Sequence, residues 1–436
     1  PQVWDKQMNL IFERNMSEAP LQKANALVRY DWSDDESRYS DRVGIDPMRI
    51  RARKVYGLLR TDPIISHADA LKILSVPENL ELLRQGKVVI LLDKENDVGN
   101  VTSMANSAII HSGYDPVPGT NKAKFNVLGN QMFDDIAREL DVSFERIGSL
   151  TVALYDEQLP MLRDLAKRSE ENGVDVKLLS GEKVLKMEPN INPKVKGALF
   201  APTAGIIDPF NYVVHTVENA VDNGVKLFLN EEVIEINYSD ELTLVKTKNH
   251  VYEAKVVIDA AGLASDKIAR MVTDIDWSIT PRKGQYYVLD HYKVGLVNKT
   301  IFPLPSEKGK GILVSKTTSN NYIVGPSSEP VDDIADLSTD TLTLANIKAQ
   351  ALDMVPSIPF NQAIRAFSGN RATCTRHDFV IESPKDKPFF IILGGIESPG
   401  LVSSPAIAKY VVEEMVAKLI KLEENPHYSP YVRKYK

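Results

Sequence analysis

A chain of 436 residues is too long for one compact core and predicts two domains. A formal net charge of -7, with no basic stretch in a groove-like pattern, argues against nucleic acid, and the single cysteine, Cys374, excludes an internal disulfide, an iron–sulfur cluster or a thiolate zinc site. No apolar run approaches the roughly 20 residues of a transmembrane helix and no secretory leader is visible, so a cytoplasmic protein in a reducing compartment is expected.

Residues 1–86 mix charged and apolar positions, with helix-like spacing over 68–74 and 78–84 and a helix-ending Gly86. Residues 87–92 (KVVILL) read as a buried strand that ends at Asp93. Beyond 101–119, Phe125, Leu128, Met132, Ile136 and Leu140 recur at helical spacing, which predicts a core-packed helix over 120–140. A strand over 149–154 and a helix over 157–171, stopped by Asn172-Gly173, come next. Asp208-Pro209 opens another helix, closed by Asn223-Gly224.

Strands are expected over 225–229, 232–236, 242–246 and 255–258. The last runs into Asp259-Ala260-Ala261-Gly262 and a helix over 265–272, a strand, small-residue turn and helix that allow a dinucleotide to approach the backbone. Alternation over 285–289, 300–304, 311–315 and 322–324 predicts an antiparallel sheet, followed by a helix over 341–354. A strand over 389–393 leads through the glycine-rich turn 394–401 to a helix starting at Ser404-Pro405 and reaching about Leu422. A tight strand-to-helix turn is the alternative reading of those glycines.

The segment 101–119 (VTSMANSAIIHSGYDPVPG) places one histidine, His111, among small, polar and turn-forming residues, a make-up suited to the wall of a ligand site. An imidazole titrates near neutrality, so His111 is the first candidate for a general base.

Eight stretches in order resemble the FAD-dependent oxidoreductases of the D-amino-acid-oxidase superfamily. They are VVILLDKEND (88–97), TSMANSAIIHSGYDPVPGT (102–120), APTAGIIDP (201–209), IDAAGLASDKIARM (258–271), TPRKGQYYVLD (280–290), GKGILV (309–314), FSGNR (367–371) and GGIESPGLVSSPAIA (394–408). Within the superfamily they are most similar to the glycerol-3-phosphate oxidase and dehydrogenase group and to L-2-hydroxyglutarate oxidase. The resemblance implies an α/β fold with an α+β second domain: a glutathione-reductase-like, FAD-binding Rossmann domain, discontinuous in sequence, beside an antiparallel-sheet substrate domain. On that basis 87–125, 195–268 and 366–436 form the FAD domain and 126–194 and 269–365 the substrate domain.

The resemblance also implies roles. His111 takes the hydroxyl proton of a small anionic hydroxy substrate while its carbinol hydride passes to FAD. Arg371 grips the substrate anion, with Lys310, Ser398 and, more weakly, Arg282 as further candidates. Asp93 is assigned to the adenosine ribose, Ser103, Asn106 and Ser107 to the pyrophosphate and flavin, Val233 to the adenine, Ala261 and Gly262 to the adenosine side. Gly395, Ile396, Gly400 and Leu401 are assigned to the ribityl chain and flavin edge. The implied reaction is oxidation of glycerol 3-phosphate to dihydroxyacetone phosphate, with L-2-hydroxyglutarate or another 2-hydroxy acid as the alternative substrate. Oxygen or a redox partner would reoxidise the flavin.

One family feature is missing. The G-x-G-x-x-G turn that lets backbone reach the pyrophosphate belongs some 20 residues before the acidic residue on the ribose, near 64–74, yet no glycine lies between Gly57 and Gly86. Residues 1–86 are therefore an atypical segment of unassigned role. A flavin-free binding or structural scaffold stays open beside the enzyme.

Overall fold

The computed structural model describes residues 89–291, 295–305, 311–422 and 428–433, together with two short strands near the start. The chain divides into two compact units, Pro1–Lys87 and Val88–Lys436. In the first, Val3–Trp4 pairs antiparallel with Leu10–Phe12. The helical stretches expected over 68–74 and 78–84, and the Gly86 cap, lie outside the described residues.

The second unit is built on a nine-stranded sheet. It runs Glu329–Pro330, Arg282–Leu289, Tyr322–Gly325, Leu313–Lys316, Thr300–Pro303, Ser149–Ala153, Gly197–Ala201, Lys177–Ser180, with Ala363–Arg371 also paired to Arg282–Leu289. All pairs are antiparallel except Thr300–Pro303 with Ser149–Ala153. Side chains alternate between its faces, as the period of a strand requires. Ile301, Val314 and Val324 join Leu150 and Leu289 against Ile347, Ala351 and Met354 of the helix Thr341–Met354. Their neighbours Phe302, Leu313 and Ile323 point the other way, into a cluster with Ile109, Ile206 and Tyr286.

Shorter parallel elements lie elsewhere in the unit. Ile90–Leu92 pairs with Lys226–Phe228, and Val257–Asp259 pairs with Phe390–Gly394, which carries Val380–Glu382 on its other edge. An antiparallel meander, Val233–Asn237, Thr243–Thr247 and Val251–Ala254, packs with them around Trp277. No helix among the described residues is long and apolar enough to cross a membrane.

Most predicted elements recur within a few residues; two helices differ in detail, and several elements, Lys177–Ser180 and Gly197–Ala201 among them, have no predicted counterpart. Helix Asn121–Glu139 buries Phe125, Asn126, Gly129, Asn130, Phe133 and Ala137, while Leu128 is 44% exposed. The apolar count missed this face because two of its members are asparagines, buried because each finds a carbonyl partner. The C-terminal helix starts at Gly400, inside the expected turn, and Pro405 sits within it. The Leu401 carbonyl, which a proline cannot serve, accepts instead from Ser404 Oγ at 2.9 Å. Strands Val251–Ala254 and Ala363–Arg371 were not expected; the second shows little alternation because charged and small residues occupy it.

Helix Pro209–Asp222 opens as its sequence predicts, with Asp208 Oδ1 accepting from the N–H groups of Phe210 and Asn211 at 2.9 and 3.1 Å. Loss of such a cap costs about 1 kcal/mol. Asp208→Ala should therefore lower the unfolding free energy by about that amount, read as a lower urea midpoint at unchanged m-value in equilibrium unfolding.

Candidate functional site

The site is organised by the pairing of Arg282–Leu289 with Ala363–Arg371. Its register sets Arg282 opposite Arg371, Gly284 opposite Gly369 and Tyr286 opposite Phe367, and opposed residues project from the same face. That face carries two guanidiniums, then two glycines, then an aromatic pair stacked at 4.7 Å.

The glycines make room. A Cβ on Gly369 would lie 2.1 Å from the Ala105 carbonyl oxygen, and one on Gly284 would lie 2.9 Å from Arg371 Nη2. The segment leading to His111 is thus seated directly on the sheet at Gly369. Thr102 Oγ1 donates to the Asn370 carbonyl at 2.6 Å, and Ser107 Oγ lies 3.1 Å from Tyr286 OH. Asn106 closes the turn between them: its amide donates to the carbonyls of Thr102 and Ser103, and its Oδ1 accepts from Ala108 N–H.

The chain then enters Ile109–Ile110, which pairs with Gly205–Ile207, and emerges at His111. Its carbonyl accepts from Asn126 and Asn130 at 2.7 and 2.9 Å. Asn130 is held in turn by Arg146, itself paired with Asp134. The half-buried imidazole has its centroid 5.8 Å from the Phe302 ring. These two asparagines were missed in the sequence. A helix face with asparagines at i and i+4 is the signal that could have found them.

Neither guanidinium has a carboxylate partner among the described residues. Arg371 donates to the Ser327 carbonyl at 2.9 Å and reaches Ser328 Oγ at 3.4 Å; Arg282 donates to Ser328 Oγ at 3.0 Å and to its carbonyl at 2.7 Å. Two positive charges with only neutral partners among the described residues have the chemistry to accept an anion. By contrast Lys283, projecting from the opposite face, is neutralised by Asp336 at 2.7 Å. That contact and the Ser338 hydrogen bonds hold the Asp336 carboxyl well below the usual range.

The remaining candidates are spread out. Asp93 ends its strand and accepts from Glu95 N–H at 2.9 Å. Ser103 is exposed. Ala261 N–H donates to Asp259 at 3.0 Å, and Gly262, at φ +56°, faces open space. Val233, Ile396 and Leu401 each pack on an apolar cluster. Gly395, at φ +64°, leaves room for Cys374, whose Cβ would be 2.5 Å from an added methyl, and a Cβ on Gly400 would meet Ile396 at 3.0 Å. The turn is braced by Glu397, which accepts from Lys122 and Thr373 at 2.7 Å each. Ser398 is exposed on that turn, and Lys310 lies outside the described residues.

Asp259 is 3% exposed, and its Oδ2 has no partner. Burial pushes its carboxyl up to about 7, with the Asp266 charge adding to the rise and the Ala261 N–H opposing it. The unfolded chain ionises near about 3.9, so the folded form holds the extra proton between those values and stability falls as pH rises from about 4 to 7. Asp259→Asn keeps an acceptor for Ala261. It should raise the melting temperature at pH 8, by up to about 4 kcal/mol of stability, and leave it nearly unchanged at pH 4.

The unit thus combines parallel strand pairs with a large, mostly antiparallel sheet and seats a histidine loop on a cationic face of that sheet. The sequence model of the FAD dependent oxidoreductase (DAO) family matches residues 80–414, and the chain belongs to that family. It is 46% identical over 354 residues to glycerol 3-phosphate dehydrogenase of Caloramator mitchellensis, covering 81% of this chain and 74% of that protein. It is 36% identical to glycerol 3-phosphate oxidase of Mycoplasma genitalium, covering 80% and 94%. Among solved structures, the dithionite-reduced L-alpha-glycerophosphate oxidase of Mycoplasma pneumoniae with FAD bound superposes with a TM-score of 0.74 at 32% identity, covering 79% and 91%. Similarity extends to the mitochondrial L-2-hydroxyglutarate dehydrogenase of Arabidopsis thaliana at 26% identity, covering 77% and 80%. Residues 1–94 match a different sequence model, the second domain of Treponema pallidum Tp0624.

The residues present offer a cofactor polar groups in two places: the hydroxyls of 102–107 and the braced turn 394–400 in one, and the Asp93 carboxylate and the open Gly262 in the other.

Proposed function

We propose that the chain oxidises glycerol 3-phosphate to dihydroxyacetone phosphate. The observation that carries this reading is the pair of guanidiniums, Arg282 and Arg371, without carboxylate partners on the sheet face where the His111 loop is seated. The glycerol 3-phosphate relatives support the choice of substrate. FAD, when bound, supplies the acceptor for the two electrons of the carbinol carbon.

The chain's own groups do the rest. Arg371 binds the phosphate through its fork, and Arg282, fixed at Ser328 beside it, adds a second charge that orients the anion. His111 takes the hydroxyl proton as the carbinol C–H bond breaks, its main chain held by Asn126 and Asn130 so that the imidazole keeps its place against Phe302. The apolar wall of Phe302, Ile323 and Leu313 keeps water from the reacting carbon.

The division into a cofactor part (87–125, 195–268, 366–436) and a substrate part (126–194, 269–365) belongs to the same proposal. It is supported by the two short parallel pairs, Ile90–Leu92 with Lys226–Phe228 and Val257–Asp259 with Phe390–Gly394, falling in the first and most of the nine-stranded sheet in the second. Strands Gly197–Ala201 and Ala363–Arg371 straddle or join the two. A cytoplasmic setting, with oxygen or a redox partner taking the electrons, completes the reading.

In excess FAD and without oxygen, glycerol 3-phosphate should bleach the flavin absorbance. Bleaching by L-2-hydroxyglutarate alone would move the substrate to the 2-hydroxy acids, whose carboxylate suits the same fork. His111→Ala should slow flavin reduction roughly 100-fold or more with unchanged FAD binding, and Arg371→Ala should mainly raise the substrate concentration needed, by roughly 10- to 100-fold. Stopped-flow reduction and FAD titration of each variant separate these outcomes; equal loss of FAD in both would sink the assigned roles.

A further inference from the structure

Two of the parallel strand pairs each leave an edge that no described strand covers. Ile90–Leu92 is paired on one edge, to Lys226–Phe228, and Val257–Asp259 on one edge, to Phe390–Gly394. Among the described residues neither has a hydrogen-bonded strand on its other edge. Both pack one side on the same core, Leu92 and Val257 against the cluster of Trp277, Phe390 and Ile392.

The alternate side chains are bare: Val89 is 61% exposed, Leu91 39% and Ile258 43%. Parallel sheets occur almost only with both faces covered, and a two-stranded sheet is marginal alone. One strand to bridge the two edges, followed by one helix over Val89, Leu91 and Ile258, would finish both pairs. At the turn between them a glycine-rich backbone would cradle a pyrophosphate.

The sequence contains no such turn upstream. Gly44 and Gly57 are the only glycines before Gly86, so G-x-G-x-x-G cannot be written anywhere in the first 86 residues. Those residues match a different family model instead.

We infer that this chain is a flavin-dependent enzyme without the glycine-rich turn that cradles the pyrophosphate. FAD is held by its flavin and adenosine ends alone, and is a dissociable ligand rather than a retained prosthetic group. The inference rests on membership of the FAD-dependent family and not on the choice of substrate.

The test uses the full chain, loaded with excess FAD, desalted and assayed for flavin absorbance per chain, with affinity measured by equilibrium dialysis. Less than about a tenth of the chains should keep FAD. A variant with residues 1–86 replaced by a strand, a G-x-G-x-x-G turn and a helix should keep close to one per chain and bind at least about a thousandfold more tightly, equivalent to about 4 kcal/mol. Stoichiometric FAD on the unaltered chain after desalting would overturn the inference, whatever the variant does. So would a folded variant, judged by circular dichroism, that binds no more tightly. Bleaching by glycerol 3-phosphate in saturating FAD is read separately, so weak retention with normal reduction leaves the proposed reaction standing, and tight retention without reduction defeats both.

Discussion

The arrangement depends on one strand pairing. Because Arg282 lies opposite Arg371 and Gly284 opposite Gly369, a single register sets both the charge of the site and the clearance above it. A slip of one residue would turn one strand over relative to the other and set Lys283, which is spent on Asp336, opposite Arg371 in place of Arg282. Register is protected by the stack of Tyr286 on Phe367 and by Tyr286 OH meeting Ser107, so the residues that fix the sheet also fix the loop.

That coupling explains why polar residues are buried around His111. Asn126 and Asn130 are costly to bury unless each amide is used, and both are spent on the same carbonyl. The helix therefore positions the main chain of His111 and leaves its ring to the Phe302 side. Arg146 and Asp134 extend the support outward to the surface, one step removed from the reacting groups.

Much of this was legible in the sequence. The His111 segment announced itself by composition, Asp208-Pro209 by capping chemistry, and the paired strands from Gln285 to Val324 by alternation. Less legible were features created by partners distant in the chain. Arg282 ranked last among the anion candidates because its value comes from lying opposite Arg371, 89 positions away in the sequence but adjacent across the sheet. Ala363–Arg371 lacked alternation for the same reason: its glycine and arginine suit the loop above them and the neighbouring strand, not a period of two. Gly395 and Gly400 were read toward a cofactor, yet their immediate constraint is protein packing, against Cys374 and Ile396. A glycine needed for close approach looks alike in sequence whether ligand or side chain approaches.

The two halves of the unit are closed by different means, and this separates folding from cofactor retention. The centre of the nine-stranded sheet is covered on one face by helix Thr341–Met354 and on the other by the Phe302 cluster. The parallel pairs are covered on one face by the Trp277 core and keep apolar side chains bare on the other. Since hydrophobic burial is the dominant favourable term in folding, the anion-binding face inherits its rigidity from a finished core, while the dinucleotide side does not. The register that aligns Arg282, Arg371 and the His111 loop draws nothing from the strand edges left unpaired among the described residues, so the substrate geometry does not depend on how those edges are completed.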